Sequence, residues 1–171
     1  MNPNDHRFTG ADVARIADLD PTTVQDWARR GLVPVKKRGL YTKTDALRFA
    51  AVRSLTGHGV PVYRAAEMFQ QIEGTQGEEW RKALDKCAAG EPHVFVYVAF
   101  FSSQAFGTFL YAGSSAETDA FILDSLADGT AGERVPEDGT MPYPIAEDVP
   151  RYRVARYDIG PDLRRAFMEL A

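Results

Sequence analysis

At 171 residues, 44% of them apolar, the chain has room for one medium domain or two small ones. Its single cysteine, Cys87, excludes an internal disulfide and a Cys-rich zinc site. The net charge of −4 hides an asymmetry: residues 1–72 carry 11 Lys/Arg against 7 Asp/Glu, and residues 73–171 carry 9 against 17. That split suggests a basic module carried by an acidic one. No apolar run approaches the roughly 18–20 residues needed to cross a bilayer. The opening MNPNDHRF has no apolar signal-peptide core, so a cytoplasmic address and no membrane partner are expected.

The stretch FTGADVARIADLDPTTVQDWARRGLVP, from Phe8 to Pro34, reads as helix, tight turn, helix and stop. Thr9 is a suitable N-cap, with Asp12 in the acidic first turn and Val13, Ala14, Ile16 and Ala17 on the apolar side. Asp20 is placed to cap a second helix that opens on Pro21, and Leu19 and Val24 stand at the two ends of a hydrophobic staple. Val24, Trp27 and Ala28 recur at helical spacing and should pack on the first helix, and Gly31 closes the second by taking positive φ.

Because packing uses that inner face, the outer face carries Thr22, Thr23, Gln25, Asp26, Arg29 and Arg30. Gln can bond adenine, and Arg can bond guanine or phosphate. Asp26 repels phosphate unless it is paired; Arg29 and Arg30 lie three and four residues on and can neutralise it, or it can accept from a cytosine amine. Leu32 to Tyr41 reads as a short hairpin with Lys36-Lys37-Arg38-Gly39 at its tip and Leu40 and Tyr41 anchoring the return strand. A compact helix-turn-helix beside a cationic loop can put one helix in a DNA groove and clamp the phosphates next to it.

Thr44 is expected to cap a third helix from Asp45 to about Thr56, burying Leu47, Ala50, Ala51, Val52 and Leu55 and ending at Gly57 and Gly59. Pro61 opens a fourth, with Val62, Ala65, Ala66, Phe69 and Ile72 at helical spacing. Arg48, Arg53 and Arg64 fall on exposed faces of this pair, as phosphate contacts or as plain solvated side chains. Glu73 to Gly77 is a linker or helix break. Glu78 to Ala89 is then a short amphipathic helix with Trp80, Leu84, Cys87 and Ala88 on one side.

From His93 the period changes. HVFVYVAFF is apolar on both faces and rich in β-formers, as a central strand is. Phe106 to Ala112 makes a second strand, about Ala116 to Leu126 a helix, and Tyr152 to Ile159 a third strand. Asp162 to Leu170 forms a last helix behind Pro161. Between them, residues 129–150 hold three Gly and four Pro and read as a long loop. The expected fold class is α+β: an N-terminal winged helix-turn-helix over residues 1–72, a connecting stretch over 73–92, and a small α+β domain with a largely antiparallel sheet over 93–171.

Residues 8–68 resemble the MerR family of transcriptional regulators. The resemblance rests on the helix-turn-helix, the stop at Gly31-Leu32 and Pro34, the wing KKRGLYTKTDAL, and the helix pair RFAAVRSLTGHGVPVYRAAEM with Gly59 in its turn. Excisionase-type winged helices share much of this pattern. The resemblance implies contact with double-stranded DNA through Thr22, Thr23, Gln25, Arg29, Lys36, Lys37, Arg38 and Tyr41; Arg30 joins them from its place on the outer face. Where the family favours Arg-Tyr-Tyr in the second helix, this chain has Gln25-Asp26-Trp27, and where the family dimerises through a long helix after the fourth, Gly74–Gly77 interrupts it.

No phosphate-binding loop, dinucleotide fingerprint, nucleophile elbow or HExxH motif is present, so no enzyme activity and no cofactor are expected. His58, between two glycines, reads as a turn residue, and Cys87 as a packed small side chain. The aromatic residues of the second half form a core or line an apolar effector pocket. The expected function is sequence-specific transcriptional regulation, with helix 21–30 in the major groove, wing 36–39 on phosphates, and a C-terminal domain that senses an effector or mediates homodimer assembly. The alternatives are an excisionase-type architectural factor and a protein-interaction module of weak DNA affinity.

Overall fold

The computed structural model describes residues 8–35, 39–91, 93–100, 106–112 and 153–170. Among these, five helices come first: α1 (Gly10–Ala17), α2 (Pro21–Arg29), α3 (Lys43–Gly57), α4 (Val62–Thr75) and α5 (Gly77–Ala88). Strands β1 (Val94–Phe100), β2 (Phe106–Ala112) and β3 (Arg153–Asp158) and helix α6 (Gly160–Leu170) follow. The α+β class stands. The helix expected at 116–126 and the loop at 129–150 lie outside the described residues.

Capping chemistry sets where the helices begin. The Asp12 N–H donates to Thr9 Oγ1 at 3.2 Å and the Thr9 N–H donates back to the Asp12 carboxylate at 2.8 Å, a reciprocal box that satisfies two donors at the start of α1. Thr42 and Asp45 repeat the device at 3.1 and 2.9 Å. α3 therefore starts earlier than expected, at Lys43, capped by Thr42 rather than Thr44. Thr44 has Leu47 three residues on and cannot close a box; Thr42 has Asp45. Asp20 does occupy the N-cap of α2 in extended backbone, but its side chain makes no capping bond. Pro21 at the first position leaves one fewer unsatisfied N–H at the start of α2.

At the other end of α2, Gly31 stands at φ +70°, its N–H donating to Ala28 O at 3.3 Å while the Leu32 N–H donates to Trp27 O at 3.0 Å. These two bonds make a Schellman stop, which needs the left-handed residue that glycine supplies most cheaply. Val24, Trp27 and Ala28 are buried, as the spacing requires.

α3 is the central helix, packed by α1, α4 and α6, and it buries Ala46, Phe49 and Ser54 in addition to the apolar residues expected there. Trp27 stacks on Phe49 with centroids 6.2 Å apart, and Tyr41 meets the same ring edge-on at 5.8 Å. The break between α4 and α5 is a single residue, Gln76, at φ −133° and ψ 35°. α5 buries Trp80, Ala83 and Cys87; Ala88, expected on that side, is exposed, one residue and about 100° around the helix from Cys87.

The sheet has the order β2-β1-β3 and is antiparallel throughout. β1 is central, as its two-sided apolar sequence requires. α4 and α5 lie against β2, and α6 lies against α1, α3 and α5. Leu163 and Ala166 of α6 are fully buried in the same cluster as Val13, Ile16, Phe49 and Leu55, so one core runs from the first helix to the last. Ion pairs seal that contact at its rim: Arg15 with Glu169, Asp18 with Arg165 at 3.0 Å, and Asp18 with Arg53 at 3.3 Å. His58 Nε2, in the turn after α3, bonds the carbonyl oxygen of Asp158 at 3.0 Å and ties that turn to the end of β3.

Candidate nucleic-acid interface

α2 is held by its buried face, so the rest of its surface points away from the core. Thr22, Gln25, Arg29 and Arg30 are exposed there. Thr23 is half-buried; it lines an open groove of about 580 Å³ with Arg15, Asp18 and Arg53 between α1, α2 and α3. Asp26 is paired as the spacing suggested: Arg29 Nη2 donates to its Oδ1 at 2.6 Å and Arg30 Nη1 to its Oδ2 at 3.3 Å. The bond from Arg29 is the main cause that holds the Asp26 carboxyl below its ordinary range.

Lys36, Lys37 and Arg38, the tip of the wing, lie outside the described residues. The two limbs that carry it do not. On the outgoing limb, Gln70 Nε2 of α4 donates to the carbonyls of Gly31 and Leu32, each at 3.3 Å, and Arg48 Nη1 of α3 donates to the Pro34 carbonyl at 3.5 Å. Val33 is buried, and Leu32 and Val35 pack on the core.

The return limb differs from the simple hairpin read in the sequence. Among the described residues no ladder joins 32–35 to 39–41. Tyr41 pairs instead with Phe8, N–H to O at 2.9 and 2.8 Å, because the chain entering α1 runs alongside it. The Tyr41 side chain is only 2% exposed, with its ring against Phe49. Of the nine residues singled out in the sequence, then, Thr22, Gln25, Arg29 and Arg30 share the outer side of α2 and its C-terminal end, Thr23 sits at its edge, and Tyr41 is buried in the core.

Arg48, Arg53 and Arg64, placed by pattern on solvated faces, each have a carboxylate partner. Arg48 bonds Glu73 at 2.6 Å and Asp45 at 2.8 Å, Arg53 reaches Asp18, and Arg64 pairs with Glu67 at 2.9 Å. Arg48 and Gln70 are the supporting residues that sequence reasoning missed. Asp45 three residues before Arg48 was a visible signal; Glu73 and Pro34 as partners were not. Cys87 is buried, its thiol pushed up to about 11 by that burial, with Sγ 3.9 Å from the Gly160 carbonyl. No described helix is long and apolar enough to cross a membrane.

Residues 8–72 match a family model described as MerR HTH family regulatory protein. No curated protein matches the chain.

Proposed function

Taking residues 8–72 as the MerR-type helix-turn-helix segment they match, we propose that the protein binds double-stranded DNA as a transcriptional regulator. α2, with Arg30 at its end, enters the major groove, and the wing at residues 36–39 sits on flanking phosphates. The observation that carries this is the division of α2: Val24, Trp27 and Ala28 are committed to the core, while Thr22, Gln25, Arg29 and Arg30 share an exposed face beside the tethered base of the wing. Gln25 reads a base edge. Arg29, Arg30, Lys36, Lys37 and Arg38 supply cations, and Thr22 and Thr23 contact the backbone near the start of the helix. Tyr41 acts from beneath by fixing the return limb.

The residues beyond α5 form the sensing or assembly part, acting on the reader through α6, which lies on α1 and α3. A homodimer and an effector or protein partner belong to that part. Phosphate contacts dominate such an interface, so affinity falls steeply with salt. Gel-shift titrations test the assignment. Arg38→Ala weakens binding to all duplexes alike and reduces the salt slope by about 1, whereas Gln25→Ala relaxes preference at one base position. If neither change alters binding, the helix-and-wing arrangement is wrong.

A further inference from the structure

Asp26 sits in the last turn of α2, where the helix dipole presents its negative end and an acidic side chain is unfavourable. It serves no cap: the N-cap of α2 is Asp20, and the stop is made by backbone bonds at Gly31 and Leu32. Each of its two oxygens takes one arginine, Arg29 at 2.6 Å and Arg30 at 3.3 Å, so one carboxylate engages both cations at the end of the exposed face. Its neighbour Gln25 is exposed on the same helix, and at about 100° per residue the carboxylate falls between the directions of Arg29 and Arg30. The pairs with arginines three and four residues on offset part of the cost against the helix dipole, and a residue that breaks a local rule is expected where function is specified.

We propose that Asp26 is the specificity-determining residue of α2: it withholds Arg29 and Arg30 from non-specific phosphates and releases them where its carboxylate accepts a hydrogen bond from a cytosine amine. The inference rests on the DNA-binding reading above and deepens it. On a random duplex the arginines reach phosphate only by leaving a bare carboxylate facing a polyanion, which opposes binding. Opposite cytosine, the N4 amine is a donor in the major groove and fills a carboxylate lone pair. The anion is then satisfied, the arginines reach the flanking phosphates, and the cost falls on the other bases.

The test uses the full chain in fluorescence-anisotropy titrations over a range of salt. One duplex is recovered by selection from a random library; the other is a random-sequence duplex. Asp26→Asn keeps the shape and removes the charge. It is expected to bind the random duplex about 3- to 30-fold tighter, since two exposed ion pairs are exchanged for phosphate contacts. Its salt slope becomes steeper by about 1–2, and selection with it no longer enriches cytosine at one position. Asp26→Glu keeps the charge and retains the original slope. If Asp26→Asn leaves random-duplex affinity and slope unchanged while the unaltered protein binds DNA, the role given to Asp26 is overturned and the DNA-binding reading stands. If the unaltered protein binds neither duplex at low salt, both fall.

Discussion

Gly31 and Asp18 both adopt left-handed backbone, for different reasons. At Gly31, φ is +70° and nothing stands within 4 Å of where a Cβ would be, so an added methyl meets no neighbour and the cost is conformational alone. Gly31→Ala is expected to lower stability by about 1–2 kcal/mol in a urea titration, with no sign of a packing defect. Asp18, at φ +55°, ends α1 and accepts from Arg165 and Arg53. The hydrogen bond from Arg165 is the largest cause holding its carboxyl below its usual 3.8. A depressed carboxyl contributes stability that is present above 3.8 and lost as pH falls through the folded value. Asp18→Asn, which tolerates the same backbone, should therefore be less stable at neutral pH and show a shallower acid limb in urea midpoints measured against pH. Gly31 was legible in the sequence because its role depends on the helix just before it. Asp18 was not, because its partners come from α3 and α6.

The same contrast appears in the helices. Thr42 and Thr44 are equally good capping residues by type, and only the residue three places on separates them. Thr42→Ala should cost about 0.5–2 kcal/mol, while Thr44→Ala should stay within about 0.5 kcal/mol of the parent; equal effects in thermal or urea unfolding would refute the box as the start of α3. The outward face of α2 was readable from the spacing of Val24, Trp27 and Ala28 alone, because a helix held on one side must show the other. The tethering of the wing was not, since Gln70 and Arg48 reach it from helices that follow in the chain. Arg48 illustrates why pattern is a weak guide to charged residues: a long polar side chain reads as solvated until the fold brings Glu73 beside it.

Across the molecule, α6 joins the acidic half to α1 and α3 of the basic one, while α5 and β2 meet α4. Leu163 of α6 is fully buried in the core shared with α1 and α3. Leu163→Ala is expected to lose about 2–5 kcal/mol. The loss should be felt by every described element that shares this core, as cooperative unfolding of a single core requires. Fluorescence from Trp27 and Trp80, one in α2 and one in α5, should follow the same transition as far-ultraviolet circular dichroism; two separated transitions would show that α6 does not couple the halves. Such coupling is the physical means by which an event in the C-terminal part would reach α2.

By itself the sequence determined the local pieces: the Thr9 cap, the stop at Gly31, the buried side of α2 and the central position of β1. It also placed β2 at Phe106–Ala112, the bounds observed. Each of these is decided by residues within about four positions along the chain, or by the period of apolar side chains within one element. Only the tertiary structure decided which threonine starts α3, that Tyr41 pairs with Phe8 and packs on Phe49, that the arginines of α3 and α4 are engaged by carboxylates, and that α6 returns to cover α1 and α3. Those outcomes depend on contacts between residues distant in sequence, and a helical or charged pattern does not say which surface it will meet.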